Sequence, residues 1–105
     1  MSTVNLITDL TAAGKGTLVP RGDTQEDTGI RSFQFGVVGT GALAAVVRVY
    51  GMNDGRFPTL VMTSTLSGSD MVTDAEQDDF QWEYYQAEVV SLSGTGARVT
   101  VIMGG

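Results

Sequence analysis

The chain has 105 residues, six Lys plus Arg against twelve Asp plus Glu for a formal net charge of -6 at pH 7, and neither cysteine nor histidine. That length allows one domain, burying roughly two-thirds of the surface an unfolded chain exposes, and a composition 42% hydrophobic and 17% charged is that of a folded protein. Charge and residue set together exclude a cation-lined nucleic-acid surface, disulfides, thiolate nucleophiles, histidine general bases and most zinc sites.

Met1 to Leu10 has neither the basic start nor the apolar run of a signal peptide, and no stretch approaches the ~20 apolar residues of a membrane-spanning helix. Synthesis in the cytoplasm and no membrane partner are therefore expected. In Ser2 to Ala13 the period is ambiguous: Ile7 and Leu10 suit a helical turn, whereas Val4 and Leu6 suit a short strand. An extended arm or edge strand is expected, with Val4, Leu6 and Ile7 as candidates for contact with a partner. From Ala12 to Ile30 the composition turns to Gly, Thr, Asp and Pro. This segment reads as loop-rich, with one short strand at Thr17 to Val19 and an acidic turn at Gln25 to Gly29. Residues 1–30 thus form an arm and 31–105 a β core, within a single domain.

Ser32 to Val37 alternates, with Phe33, Phe35 and Val37 on one face, and predicts a strand. Gly39-Thr40-Gly41 reads as a hairpin turn leading into a second strand, Ala42 to Tyr50. There Leu43, Ala45, Val47 and Val49 share one face and Val46, Arg48 and Tyr50 the other. Because that second face is only partly polar, the strand is expected to be central in its sheet or to meet another subunit with its outer face, with Val46 and Tyr50 as candidates for that contact. A turn at Met52 to Arg56 precedes a strand at Leu60 to Leu66, and Ser67 to Asp79 reads as a polar connector. The last quarter, Phe80 to Met103, predicts a hairpin turning at Ser93-Gly94-Thr95-Gly96, with Ala97, Val99, Val101 and Met103 facing a core. Six to eight strands with turns about every ten residues predict an all-β fold, a small antiparallel β-sandwich or jelly roll with an N-terminal arm.

Few groupings carry chemistry. The carboxylates between Asp70 and Asp79 suit calcium by type, but their spacing lacks the glycine and terminal glutamate of an EF-hand. A glycosidase pair must flank a bond at fixed separation, which one run of acids does not provide. Arg21-Gly22-Asp23 copies an adhesive tripeptide, yet Pro20 fixing φ before Gly and Asp explains it as a turn. Trp82, Tyr84 and Tyr85 suit a sugar-stacking platform or, with more weight, a core or subunit contact. No Ser-His-Asp set exists, and no Lys-Ser/Thr pair follows a glycine loop. No catalytic, cofactor or metal residues are assigned.

From Gln34 to Met103 the strand and turn series resembles that of small tailed-bacteriophage virion proteins of the capsid decoration, or cement, type. The segments that carry this are Gly36-Val37-Val38-Gly39-Thr40-Gly41, Val49-Tyr50-Gly51-Met52-Asn53-Asp54-Gly55 and Ser91-Leu92-Ser93-Gly94-Thr95-Gly96-Ala97. The resemblance implies a β domain on the outer surface of the phage head that stabilises contacts between major capsid subunits. It also implies a homo-oligomer, dimer or trimer, with no enzymatic activity and no cofactor. Its alternatives are a carbohydrate-binding β-sandwich and a tail or neck component of the virion.

Overall fold

The computed structural model describes residues 3–24 and 29–105, so the expected turn at Gln25 to Gly29 lies, apart from Gly29, outside the described residues. Six strands follow in order: β1 (Thr3–Leu10), β2 (Gly14–Lys15), β3 (Val19–Pro20), β4 (Arg31–Met52), β5 (Thr59–Asp78) and β6 (Tyr84–Gly104). A 3-10 turn, Arg21–Thr24, separates β3 from β4. All strands belong to one antiparallel sheet in the order β1-β6-β4-β5, with β2 and β3 also pairing with β6.

Three of the strands are too long for the molecule to hold straight. At ~3.3 Å per residue the 22 residues of β4 would run about 70 Å, whereas the longest dimension of the molecule is 39 Å. The sheet therefore folds over on itself. One layer contains residues 31–38 of β4, 71–78 of β5 and 98–104 of β6, flanked by β1. The other contains 42–52, 59–67 and 84–92, flanked by β2 and β3. Contacts across the fold prove the closure: the rings of Phe33 and Tyr85, from opposite layers, lie 5.3 Å apart at 58°. Ser64 and Asp74, both on β5, meet through a 2.7 Å hydrogen bond from the Ser64 hydroxyl. The fold is a small β-sandwich made by bending a single sheet.

The bend explains how two expected hairpins become two continuous strands. In β4 the register to β5 passes from Val38↔Met71 to Ala42↔Ser69, and to β6 from Val38↔Arg98 through Thr40↔Thr95 to Ala44↔Ser93. The runs before and after Gly39-Thr40-Gly41 thus keep the same two neighbours instead of pairing with each other, and the glycines form a bulge that turns all three strands together. Phe33, Phe35, Val37, Leu43, Ala45, Val47 and Val49 are all buried. The inner face falls on odd-numbered positions on both sides of the bend, with Gly39 packed between them. A methyl on Gly39 would lie 2.7 Å from Leu43 Cδ2 and 2.9 Å from the Thr95 carbonyl oxygen. Gly94-Thr95-Gly96 serves the same role in β6, with φ of 129° at Gly94 and 64° at Gly96.

Ser67 to Asp79, expected to be a connector, is mostly the second half of β5. Its polarity fits an edge strand, whose outer face and free rim both meet water. The N-terminal segment takes the edge-strand alternative: β1 pairs with β6 of its own sheet from Thr3↔Gly104 to Leu10↔Val99. Val19 begins the short β3, opposite Tyr85. The core between the layers closes with Leu66, Ala87, Val89, Val99, Val101 and Met103, all at most 1% exposed.

Candidate interaction surfaces

Three of the residues singled out for partner contact are in the core. Leu6, Ile7 and Tyr85 are 2%, 5% and 0% exposed. Burial of the first two follows from β1 docking on β6 and from the Gly16 turn, whose bare Cα sits against the Leu6 carbonyl and the Ile7 side chain. Val4 is half-buried against the same core. Adjacent tyrosines must face opposite sides of a strand, and it is Tyr85 that turns inward. Its phenol donates a 2.6 Å hydrogen bond to Asp78 Oδ2, with Arg31 opposite Asp78 in register. Burial and the Asp78 carboxylate push the Tyr85 pKa well above its usual value. Tyr84 faces outward, half-buried, opposite Pro20 and Met52.

Val46 and Tyr50 lie half-buried on the outer face of the second layer. Arg48, between them, stands opposite Thr63 on one side and Glu88 on the other, and Lys15 stands opposite Glu88. The Tyr50 hydroxyl donates to Glu88 Oε1 at 3.1 Å. A row of alternating charge thus crosses a face whose sequence reads as only partly apolar.

The open end of the folded sheet gathers the connections 53–58 and 79–83 with residues 16–24. Arg21 ties them together: its guanidinium donates to the Gln81 carbonyl at 2.9 Å and approaches Glu83 at 3.5 Å, and its backbone N–H donates to the Glu83 carbonyl. The arginine of the adhesive-like tripeptide is therefore a structural brace. Trp82 lies with its indole over the backbone of Gly51, where no side chain intervenes, and its Nε1 is enclosed without a hydrogen-bond partner. Phe80 stands 6.5 Å from it, ring to ring, and is 76% exposed. Phe57, with the Arg56 guanidinium 5.4 Å from its ring centre, is 70% exposed. Sequence reading missed both as surface aromatics, because Phe57 interrupts no alternation and Phe80 adjoins a strand. The Arg56 backbone N–H donates to Asp54 Oδ1 at 3.0 Å and its guanidinium to Oδ2 at 2.8 Å, and these two bonds hold the Asp54 carboxyl below its ordinary range.

The carboxylates of β5 do not converge. Asp70 accepts from the Gly41 backbone N–H at 2.8 Å across the bend, Asp74 accepts from Ser64, and Asp78 accepts from Tyr85. Among the described residues no three acidic side chains come together in a way that suits a metal ion. A shallow groove of about 540 Å³ runs over the outer face of the first layer, lined chiefly by Thr3, Ser32, Gln34, Thr73, Ala75 and Ile102.

The sheet has two rims. β1 is an irregular one, with register shifts between Asn5 and Ile7 and between Ile7 and Leu10, and with Asp9 at φ 47°. β5 is the other, and among the described residues it has a neighbour on one side only, along all 20 of its residues.

These features define a class, a β-sandwich folded from one antiparallel sheet. No family model matches the chain, and no curated protein matches its sequence. The fold is similar to that of a solved structure, the SPBc2 prophage-derived protein YomS, with a TM-score of 0.62 at 14% sequence identity over 97% of this chain and 88% of that one.

Proposed function

We propose that the chain is a non-enzymatic structural protein of a bacteriophage particle, a decoration protein that sits on the outer surface of the head and clamps neighbouring major capsid subunits. The observation that carries this reading is the bent sheet itself. β4, β5 and β6 each pass through both layers, so the molecule is one rigid block with no hinge between its halves. Such a block suits mechanical load. Many copies engaging linked sites on a lattice gain avidity without new contacts, and binding the expanded shell in preference to its precursor stabilises that shell by mass action. The likeness in fold to a prophage-derived protein supports a phage origin. The surfaces assigned to the head are the Val46 and Tyr50 face and the aromatic end around Phe57, Phe80 and Trp82. The chain would be made in the host cytoplasm and reside on the virion.

Co-sedimentation of the purified protein with expanded heads, precursor heads and tails of the phage that encodes it tests the proposal. Saturable binding to expanded heads, with increased resistance of those heads to heat, is expected. Binding to tails alone would move the protein to the tail or neck, and binding to neither would overturn the reading. A carbohydrate-binding role has one observation in its favour, the outward Phe80 beside Trp82. Saturable quenching of Trp82 fluorescence by a glycan, with no binding to particles, would replace the clamp with that role.

A further inference from the structure

We infer that the free rim of β5 is the seat of a two-fold dimer, in which β5 of a second copy adds antiparallel to it and continues the sheet from one molecule into the next. The inference concerns the chain by itself and does not rest on a place in a virion. A 20-residue strand presents about 60 Å of backbone path, with the N–H and C=O groups of alternate residues pointing away from β4. Proteins usually guard such a rim with Lys, Pro, bulges or a covering loop. Thr59 to Asp78 contains no Lys, Arg or Pro, and residues 59–69 carry no charge at all. Irregularity is confined to the bend at Asp70 and one extra residue at Val61. The opposite rim, β1, is broken twice. β5, by contrast, pairs without a break over residues 62–69 and 71–78, and only its second half carries charge.

The distribution of charge selects a second copy as the occupant. Asp70, Asp74, Glu76 and Asp78 all fall in the second half of β5. Parallel pairing would set these acids beside their equivalents, and like charges directly opposite one another are destabilising. Antiparallel pairing sets the acidic half of each copy against the neutral half of the other. Two further conditions fix the register. The bends must coincide, which places the axis near residue 69, and inward side chains must meet inward side chains, because directly opposed residues share a face. Ser64 and Leu66 point inward in one layer and Asp78 in the other, so even-numbered residues must oppose even-numbered ones. The register that satisfies both conditions has Ser69 facing Ser69 across the axis, Leu66 facing Val72, Ser64 facing Asp74 and Met62 facing Glu76. No acid then faces an acid.

Met62 and Val72 are only partly buried and lie against the core at its β5 side, so the added strand covers apolar surface that one copy leaves half open. The interface is isologous and closes on itself, so assembly stops at two.

The absence of cysteine makes a direct test possible. In Ser69→Cys the two new thiols face each other across the axis at a Cα separation of about 4.5–5.5 Å, within reach of a disulfide. Light scattering on the wild-type chain should give twice the chain mass of 11.1 kDa, and mild oxidation of Ser69→Cys should yield a covalent dimer. Thr95→Cys, exposed at the same bend but on β6, should stay uncrosslinked. Thr63→Asp combined with Ala75→Asp, both exposed and facing each other across the axis in this register, sets acid directly opposite acid twice and should weaken dimerisation by about tenfold or more while the β-sheet circular dichroism is retained. A wild-type monomer at about 100 µM, well above the micromolar range of a stable pair, a trimer, or a dimer in which Ser69→Cys does not crosslink would each overturn the inference. A monomer that nevertheless binds phage heads would overturn the dimer and leave the clamp intact.

Discussion

At the scale of single residues, the most constrained group is the Tyr85 phenol, enclosed between the layers and bonded to the Asp78 carboxylate. Tyr85→Phe keeps the ring packed on Phe33 but leaves that buried acceptor without its donor, at an expected loss of about 1.5–3 kcal/mol in urea unfolding. The pH dependence follows from the raised Tyr85 pKa. Below the unfolded value of about 10 the phenol is neutral in both states and the native preference is fully present. As pH rises above that value only the unfolded state ionises readily, so this contribution is lost. The wild-type urea midpoint should therefore fall more steeply above about pH 10 than that of Tyr85→Phe, and equal slopes would remove Tyr85 from the account. Gly51 makes the second residue-scale case. Because the Trp82 indole occupies the space of its missing side chain, Gly51→Ala should push the ring outward, shift its emission to the red and cost about 1–3 kcal/mol. An unchanged emission maximum would show that Trp82 does not rest there.

At the scale of the elements, the bend sets what each glycine tolerates. Gly94 has φ of 129°, and a methyl added to it would meet Leu43 Cδ2 at 2.5 Å and the Ala42 carbonyl oxygen at 2.9 Å, so a side chain is excluded on both accounts. Gly36, in the straight part of β4, has open space where its methyl would sit. Gly94→Ala should destabilise by about 1–3 kcal/mol, whereas Gly36→Ala should be neutral or stabilise by up to about 1 kcal/mol through the unfolded chain. Thermal unfolding of the two variants side by side checks the order, and a reversed order would place the bend elsewhere. The expected hairpins at residues 39–41 and 93–96 are reasonable readings of local sequence, because a bulge that bends a long strand and a turn that ends one both call for glycine flanked by alternating residues. Pairing partners distinguish them, and those are tens of residues away: Val38 pairs with Met71 and Arg98.

At the scale of the whole molecule, continuity of β4, β5 and β6 through both layers couples the halves. Neither layer can open alone without breaking strands that run into the other, so unfolding should be a single cooperative transition. Trp82 fluorescence, reporting the open end, and far-ultraviolet circular dichroism, reporting the sheet, should give coincident urea curves. Phe33→Ala in one layer should lower both together by about 3–5 kcal/mol. Two separated transitions would show that the layers are independent units.

Whatever has a local cause was already written in the order of the residues. The period-2 burial of Phe33 to Val49 and of Ala97 to Met103, the all-β class, and the pairing of inward Phe and Val with outward polar residues all follow from side chains alternating across a pleated strand. Long-range packing settled the rest. It settled which of two adjacent tyrosines turns inward, that Leu6 and Ile7 fill the molecule's own core, and that an acidic run is an edge strand whose carboxylates have separate partners. Each depends on which strand lies beside which. That choice is made by packing two distant faces together, and alternation along one strand is the same whichever neighbour it acquires.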